Sequence, residues 1–141
     1  MATSSNSDSM SEQLRLHAVT IVVDDYDDAI AHYVNDLGFT LLEDTDLGSG
    51  KRWVRVAPSS DGPGLLLAKA TTPEQVAVIG NQTGGRVGFF VHTSDFATTH
   101  ARLIVNGVHM TEQPRSEEFG TVVVFKDKYG NLWDLIEPRR A

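Results

Sequence analysis

The sequence predicts an α+β fold made of two βαβββ modules in tandem. Three observations lead to this fold class: an order of strand, helix and three strands that occurs twice, capping residues and glycine stops at matching places, and a hairpin signature near the C-terminus. When the chain is aligned with itself at an offset of 69 residues, Gly38 meets Gly107 and Glu43 meets Glu112. A supersecondary unit that recurs at a fixed spacing indicates a duplicated module.

The first module opens on a strand at 16–23, which is rich in β-branched residues. Asp24 and Asp25 can cap a helix with one apolar face, and Gly38 ends that helix. Glycine-, serine- and proline-rich turns then separate three further strands, and a short helix follows from Thr72 to about Ile79. The predicted strands of this half are 39–42, 53–57 and 64–68.

The second module repeats the order. A strand at 86–92 precedes a capping cluster at 93–95, a helix at 96–106 and a stop at Gly107. The remaining predicted strands are 108–110, 122–125 and 132–136. The sequence thus divides into a polar, flexible tail and a single domain with two modules and a linker; the predicted bounds are 1–13 for the tail, 14–138 for the domain, 14–70 and 85–138 for the modules and 71–84 for the linker.

The last two strands form a predicted hairpin. The apolar runs 121–125 and 132–136 flank the turn formers of 127–131, where Gly130 or Asn131 can adopt a positive φ. Asp134 interrupts the second run, and side chains alternate between the faces of a strand. A carboxylate in such a strand is exposed, paired or functional.

Composition excludes several classes of function. The net charge of −7 argues against binding to nucleic acid or to an anionic membrane. The chain has no cysteine, which excludes disulfides, thiolate metal sites and cysteine nucleophiles. It also has no apolar run of about 20 residues and no signal-peptide pattern, so we expect a cytoplasmic protein.

The sequence resembles the vicinal-oxygen-chelate superfamily, which includes glyoxalase I, extradiol dioxygenases and the bleomycin- and fosfomycin-resistance proteins. The resemblance rests on His17 with Asp24 seven residues later, on Tyr33 followed by Leu37-Gly-Phe39, and on the run 127–137. It implies an eight-stranded open barrel, in which two modules form a cup around a small molecule. It also implies a homodimer.

The resemblance places metal ligands at His17, near Leu65, at Arg86 and at Asp134. The run 64–67 has no side chain that could bind a metal, and an arginine has donors only. We therefore expect no metal cofactor, or at most a divalent ion held weakly by His17 and Asp134 with waters. Glutathione-dependent glyoxalase I activity is not expected, because Leu65 and Arg86 replace two ligands that this chemistry requires.

The cup is predicted to be mostly apolar with a few convergent polar groups, as in small-molecule sites generally. Alternation in the third strand turns Trp53 and Arg55 towards the cup and the aliphatic Val54 and Val56 towards the helices. The other side chains predicted to face the cup are His17, Val19 and Ile21 in the first strand and Arg86, Gly88, Phe90 and His92 in the fifth. Of all these, Trp53, Arg55, Arg86 and Phe90 are the predicted ligand-binding residues.

Three interpretations of the polar groups remain open. Arg86 could replace the charge of the metal and pair with Asp134, so that His17 binds or transfers a proton. The same pair could be a fixed ion pair without chemistry. Alternatively, Arg86 or Arg55 could bind an anionic ligand such as a carboxylate or phosphate.

Two functions follow, and the sequence does not decide between them. One is a lyase, isomerase or dioxygenase-type enzyme with His17 and Asp134 as catalytic residues. The other is a protein of the bleomycin-resistance type, which binds or sequesters a small molecule and needs neither metal nor catalysis.

Overall fold

The computed structural model describes residues 12–140, so most of the predicted tail lies outside the described residues. The first half contains β1 (Ala18–Val23), α1 (Tyr26–Ala31), a π-helical turn (His32–Asp36), β2 (Thr40–Gly48), β3 (Lys51–Ala57) and β4 (Gly64–Lys69). Helix α2 (Pro73–Val78) connects the halves. The second half contains β5 (Val87–His92), α3 (Phe96–Val105), β6 (His109–Met110), β7 (Arg115–Glu117), β8 (Gly120–Lys126) and β9 (Leu132–Pro138).

Each half forms one sheet, and the two sheets share a topology. The first sheet has the order β1-β4-β3-β2, and the second has the order β5-β9-β8-β6 with β7 paired to β8. In both, the first and last strands of the half are parallel and the other pairs are antiparallel. The predicted α+β class and tandem modules are confirmed. Within residues 12–140 the sheets have four and five strands and do not close into a barrel.

The helices begin where the sequence places their caps. Asp25, rather than Asp24, accepts a hydrogen bond from the backbone N–H of Asp28 at 2.9 Å and caps α1. Asp95 caps α3 in the same way through the N–H of Thr98. A carboxylate at this position satisfies an N–H group that has no partner within the helix. No helix of residues 12–140 has the length and hydrophobicity needed to cross a bilayer.

One hydrophobic core joins the two sheets. Ile21, Val54 and Leu67 of the first sheet belong to the same buried cluster as Phe125 and Trp133 of the second. The ring of Trp133 stacks on Phe89 with 4.6 Å between centroids, and helical residues such as Tyr33 and Leu103 complete the cluster. Because both sheets turn one face to this core, the opposite face of each, here called its outer face, points away from it.

The β8–β9 hairpin is confirmed, and its turn is anchored in the core. The two strands pair from Leu132 opposite Lys126 to Pro138 opposite Gly120, and Gly130 has φ +102°. Asp127 is 4% exposed and accepts hydrogen bonds from Tyr33, Asn131 and Trp133 side chains. Burial raises the pKa of the Tyr33 hydroxyl, and the negative charge of Asp127 raises it further. The turn therefore connects the π-helical turn of the first module to the second sheet.

The predicted orientation is correct for β3 and β5 and wrong for β1. Val54 and Val56 are fully buried, which leaves Trp53 and Arg55 on the outer face. Phe89 and Val91 pack against the core, so the outer face of β5 carries Phe90 and its alternate neighbours. In β1, however, Ile21 and Val23 are fully buried, so Val19 and Ile21 belong to the core side; the outer residues are Ala18, Thr20 and Val22.

The π-helical turn explains this error. Leu37 donates its N–H to the carbonyl of His32 at 3.1 Å, a bond across five residues that accommodates one residue more than an α-helical turn. The caps Asp25 and Asp95 are therefore 70 residues apart, whereas the stops Gly38 and Gly107 are 69 apart. An alignment anchored on the glycines displaces β1 by one residue, and a shift of one residue exchanges the two faces of a strand.

Candidate functional site

A groove of about 820 Å³ lies on the outer face of the first sheet. Its lining is predominantly apolar and includes the β2–β3 hairpin from Leu47 to Lys51. The outer-face residues that line it are Thr20, Val22, Trp53, Leu66 and Ala68, and the strand residues Arg52, Leu67 and Lys69 also contribute to the lining. Trp53 is 36% exposed, so a large part of the indole is available to a ligand. A concave apolar wall with an accessible aromatic ring is typical of a small-molecule site.

Glu43 organises the polar end of this face. It lies opposite Arg55 in the β2–β3 ladder, and its Oε1 accepts hydrogen bonds from Arg55 Nε at 2.7 Å and from Trp53 Nε1 at 3.1 Å. His17 Nε2 lies 3.7 Å from the same oxygen. The hydrogen bonds from Arg55 and Trp53 hold the pKa of Glu43 below its usual value, so this carboxylate is ionised at neutral pH.

Sequence reasoning did not select Glu43 as a site residue. The internal repeat marks it only by pairing it with Glu112. An acidic residue opposite Arg55 in the neighbouring strand could have identified Glu43. The sequence does not reveal this pairing, because bulges in β2 shift its register. Glu43 fixes the rotamers of Trp53 and Arg55, which were both predicted to bind ligand.

Arg55 borders a second recess, of about 550 Å³, on the same sheet. The recess is lined by Arg15, Leu16, His17, Arg55 and the loop Ser60–Pro63. The Arg55 side chain is only 13% exposed. Gly64 allows this burial, because a Cβ at that position would lie 2.8 Å from Arg55 Cγ. The guanidinium is therefore held against the sheet.

The outer face of the second sheet carries Asp134, a carboxyl group whose pKa is raised, in contrast to that of Glu43. Asp134 lies between the buried Trp133 and Leu135, so its side chain is on the outer face. Its Oδ1 is buried and has no hydrogen-bond partner within residues 12–140. Burial raises the pKa of Asp134, and Glu112 raises it further, whereas the nearby Arg115 lowers it. Glu112 itself accepts from Val124 N and Arg115 Nε at 3.0 Å.

The predicted ion pair between Arg86 and Asp134 is absent: neither side chain forms an ion pair with any residue of the part 12–140. His17 and Asp134 are not brought together either, since His17 contacts Glu43 on the first sheet and Asp134 lies on the second. The physical reason is the shared core: each sheet packs one face against it, and these polar side chains lie on the opposite faces of two different sheets. Residues 12–140 of one chain therefore do not bring the predicted polar groups together in one cup.

The donor set does not fit a resident metal ion in a single chain. Leu65 is in the core, and the outer neighbours of that position, Gly64 and Leu66, have no donor atom in their side chains. Across residues 12–140, no cluster of three or more histidine or carboxylate side chains could hold a metal. The catalytic role of His17 and Asp134, and their weak binding of a divalent ion, stay predictions.

The raised pKa of Asp134 gives a prediction about stability. An acid whose pKa is raised in the folded state ionises more easily in the unfolded chain. It therefore destabilises the fold once the pH exceeds the pKa that the group has in the unfolded chain. Asp134→Asn should therefore be more stable than the wild type at pH 7, and the difference should vanish below about pH 4. Urea unfolding of both proteins from pH 3.5 to 8 measures this, and a constant difference across that range would contradict it.

Comparison with known proteins agrees with this architecture. The family described as Glyoxalase/Bleomycin resistance protein/Dioxygenase superfamily matches residues 15–135. A protein of Shewanella frigidimarina (strain NCIMB 400), described as uncharacterized, is 50% identical over 121 residues, which cover 84% of this chain and 90% of the relative. YetH of Bacillus subtilis (strain 168), also described as uncharacterized, is 27% identical over 123 residues, or 87% and 98% of the two chains.

Two solved structures show the same fold. The structure of UcmS2 has a TM-score of 0.76 and 31% identity, and the match covers 89% of this chain and 99% of UcmS2. TnmS3 from Streptomyces sp. CB03234, described as an antibiotic binding protein, has a TM-score of 0.71 and 27% identity over 92% of this chain and 99% of its own. Together with the duplicated βαβββ topology, these matches establish that the chain belongs to the glyoxalase/bleomycin resistance protein/dioxygenase superfamily.

Proposed function

We propose that the protein binds a small organic molecule on the outer face of its first sheet and acts by binding rather than by catalysis. The groove of about 820 Å³ beside the partly exposed Trp53 carries this proposal. Its size is that of a drug-sized ligand site. The hydrogen bond from the Trp53 indole to Glu43 fixes the ring, so that little side-chain entropy is lost when a ligand stacks on it.

The relatives support binding as the function. TnmS3 is an antibiotic binding protein by its description, and it shares the fold over nearly the whole chain at 27% identity. The superfamily also contains bleomycin resistance proteins by its description. A planar aromatic compound fits the apolar groove, since aromatic rings stack on indole with about 0.5–1.5 kcal/mol beyond the area they bury.

Calorimetric titration with 2-naphthol, a neutral fused-ring probe, tests the proposal. Trp53→Ala should weaken binding about tenfold, which corresponds to about 1.4 kcal/mol, whereas Trp53→Phe should retain part of the affinity. Trp133→Phe is not a suitable control, because Trp133 is in the core. The proposal fails if no fused-ring probe binds the wild type, or if Trp53→Ala binds as tightly as the wild type.

We further propose a homodimer in which the outer face of the second sheet of one copy covers the groove of the other. Phe90 on that face is 62% exposed, so a partner seated on this face would bury most of an aromatic ring. Association of this kind would bring Phe90, Arg86 and Asp134 of one copy towards Trp53, Arg55 and His17 of another. The cup that is missing from the single chain would then be assembled between two chains.

Sedimentation equilibrium tests the dimer. Phe90→Asp should shift the protein to monomers, because the interface would lose the apolar contact of the ring and would have to desolvate a carboxylate. Ile104→Asp is the matched control, since Ile104 is 50% exposed on helix α3 and lies on neither outer face. A wild type that is monomeric at 100 μM, or a Phe90→Asp variant that is as dimeric as Ile104→Asp, would contradict this assembly.

Asp134 favours a second candidate function, an enzyme that transfers a proton. A buried carboxyl group with a raised pKa retains its proton where an ordinary aspartate has lost it, and such groups act as general acids. In the proposed dimer it would face His17 of the other copy as the complementary base. Asp134→Asn separates the two functions: turnover of a bound compound by the wild type that is lost in the variant, with binding retained, supports the enzyme.

A further inference from the structure

We infer that the ligand is an organic anion, a planar aromatic compound with a carboxylate that Arg55 binds. This inference rests on the proposed function, because it assumes that the ligand occupies the groove beside Trp53. It adds the chemical class of the ligand and the residue that selects it.

The hydrogen bonding of Arg55 leaves its terminal nitrogens available. Nε donates to Glu43 at 2.7 Å, whereas Nη1 and Nη2 donate to no residue of the part 12–140. The side chain is nevertheless 87% buried, as its exposure of 13% shows. Neither terminal nitrogen is among the buried polar atoms of residues 12–140 that lack a partner, so both remain accessible to solvent and to an incoming acceptor. The two terminal N–H groups of arginine form a planar fork that matches the two oxygens of a carboxylate.

Basic and acidic side chains both surround this fork. Arg15 and His17 line the same recess as Arg55, together with the acidic Asp61. Asp61 and the ionised Glu43, which bonds Arg55 Nε, offset the charges of the two arginines. The selection of a carboxylate therefore rests on the two free N–H groups of the fork and on their geometry, and not on a net positive charge of the recess.

The recess and the apolar groove are neighbours on the first sheet, although no residue lines both. Leu66, which lines the groove, lies directly opposite Arg55 in the β3–β4 ladder. Trp53 Nε1 and Arg55 Nε both donate to the same oxygen of Glu43, so the indole edge and the guanidinium are close neighbours. Residues two apart on one face of a strand are separated by about 7 Å. A fused aromatic ring on Trp53 can thus present a carboxylate to Arg55.

The test compares 2-naphthoate with 2-naphthamide, which has the same shape without the charge. Calorimetry on the wild type should show that the acid binds at least tenfold more tightly than the amide. In Arg55→Met this preference should fall to about one, and in Arg55→Lys, which retains the charge but lacks the fork, it should be intermediate. Arg140→Gln removes the same charge near the C-terminus and should leave the preference unchanged.

The outcomes separate this inference from the proposed function. If the wild type binds the acid and the amide equally, and Trp53→Ala weakens both, the ligand need not be an anion but the groove remains the binding site. If neither probe binds, the groove is not the binding site either. Tighter binding of 2-naphthyl phosphate than of 2-naphthoate would overturn the carboxylate as the preferred anion. Because the acid–amide comparison uses the wild type, it holds even if Arg55→Met does not fold.

Discussion

Asp127→Ala should lower the free energy of unfolding by about 5 kcal/mol or more, since each buried donor left without an acceptor costs about 1–3 kcal/mol. The carboxylate is 4% exposed and accepts five hydrogen bonds. Three come from side chains, those of Tyr33, Asn131 and Trp133, and two from backbone N–H groups of the β8–β9 turn. The substitution would leave these donors in the core without an acceptor.

Urea unfolding of the variant and of Tyr33→Phe measures this effect. Tyr33→Phe removes one hydrogen bond, the 2.6 Å contact between the hydroxyl and Asp127, and should cost about 1 kcal/mol. The difference between the two variants gives the contribution of the other four hydrogen bonds of Asp127, which come from Asn131, Trp133 and the backbone of the β8–β9 turn. If Asp127→Ala costs no more than Tyr33→Phe, these four bonds do not contribute to stability.

Gly80→Ala should destabilise the protein by about 2–5 kcal/mol, the sum of a left-handed backbone at about 1–2 kcal/mol and an overpacked contact at about 1–3 kcal/mol. Gly80 has φ +77°, and a Cβ there would lie 1.8 Å from the carbonyl oxygen of Tyr129. The obstacle is backbone of the β8–β9 turn, so it cannot move aside as a flexible side chain would. The variant would therefore separate the linker from that turn.

Gly84→Ala is the matched control for the linker. Gly84 has a similar φ of +71°, but no atom lies within 4 Å of the position of its Cβ. It should therefore show the backbone cost alone, about 1–2 kcal/mol. Thermal and urea unfolding of both variants give the comparison. Equal losses for Gly80→Ala and Gly84→Ala would mean that the close approach to Tyr129 does not contribute to stability.

Features encoded by local sequence were predicted correctly. The turn formers of 127–131 between two apolar runs specified the last hairpin, and Val54 and Val56 specified which face of β3 carries Trp53 and Arg55. These predictions depend on alternation along one strand or on the chemistry of one turn. Neither requires knowledge of distant contacts.

The orientation of β1 depends on the π-helical turn, which the sequence conceals. Ile30, Tyr33, Val34 and Leu37 follow the spacing of an ordinary α-helix, so the apolar pattern gives no sign of an extra residue. Only the spacing from cap to stop differs between the halves, and the correct cap, Asp25, has an equally suitable neighbour in Asp24. Val19 and Ile21 were assigned to the wrong face for this reason, whereas His17, which precedes β1, does lie beside Glu43 and Arg55.

The placement of Arg86 and Asp134 depends on how the modules pack, and no local pattern encodes it. The predicted ion pair assumed that one chain forms one cup. The shared core instead includes Trp133 of the second sheet together with Tyr33 of the first module. Such contacts over long sequence separations decide which faces meet, and they are set by shape complementarity across the whole domain.

An NMR titration of the wild type with 2-naphthoate tests most directly whether the outer face of the first sheet is the binding site. The largest shift changes should occur at the Trp53 indole N–H, the Arg55 side chain and the amide of Leu66. The indole N–H of Trp133, which is buried and bonded to Asp127, should change little. Changes confined to the cavity of about 180 Å³ beside Leu37 and Arg102, or no changes at all, would contradict a binding site on this face.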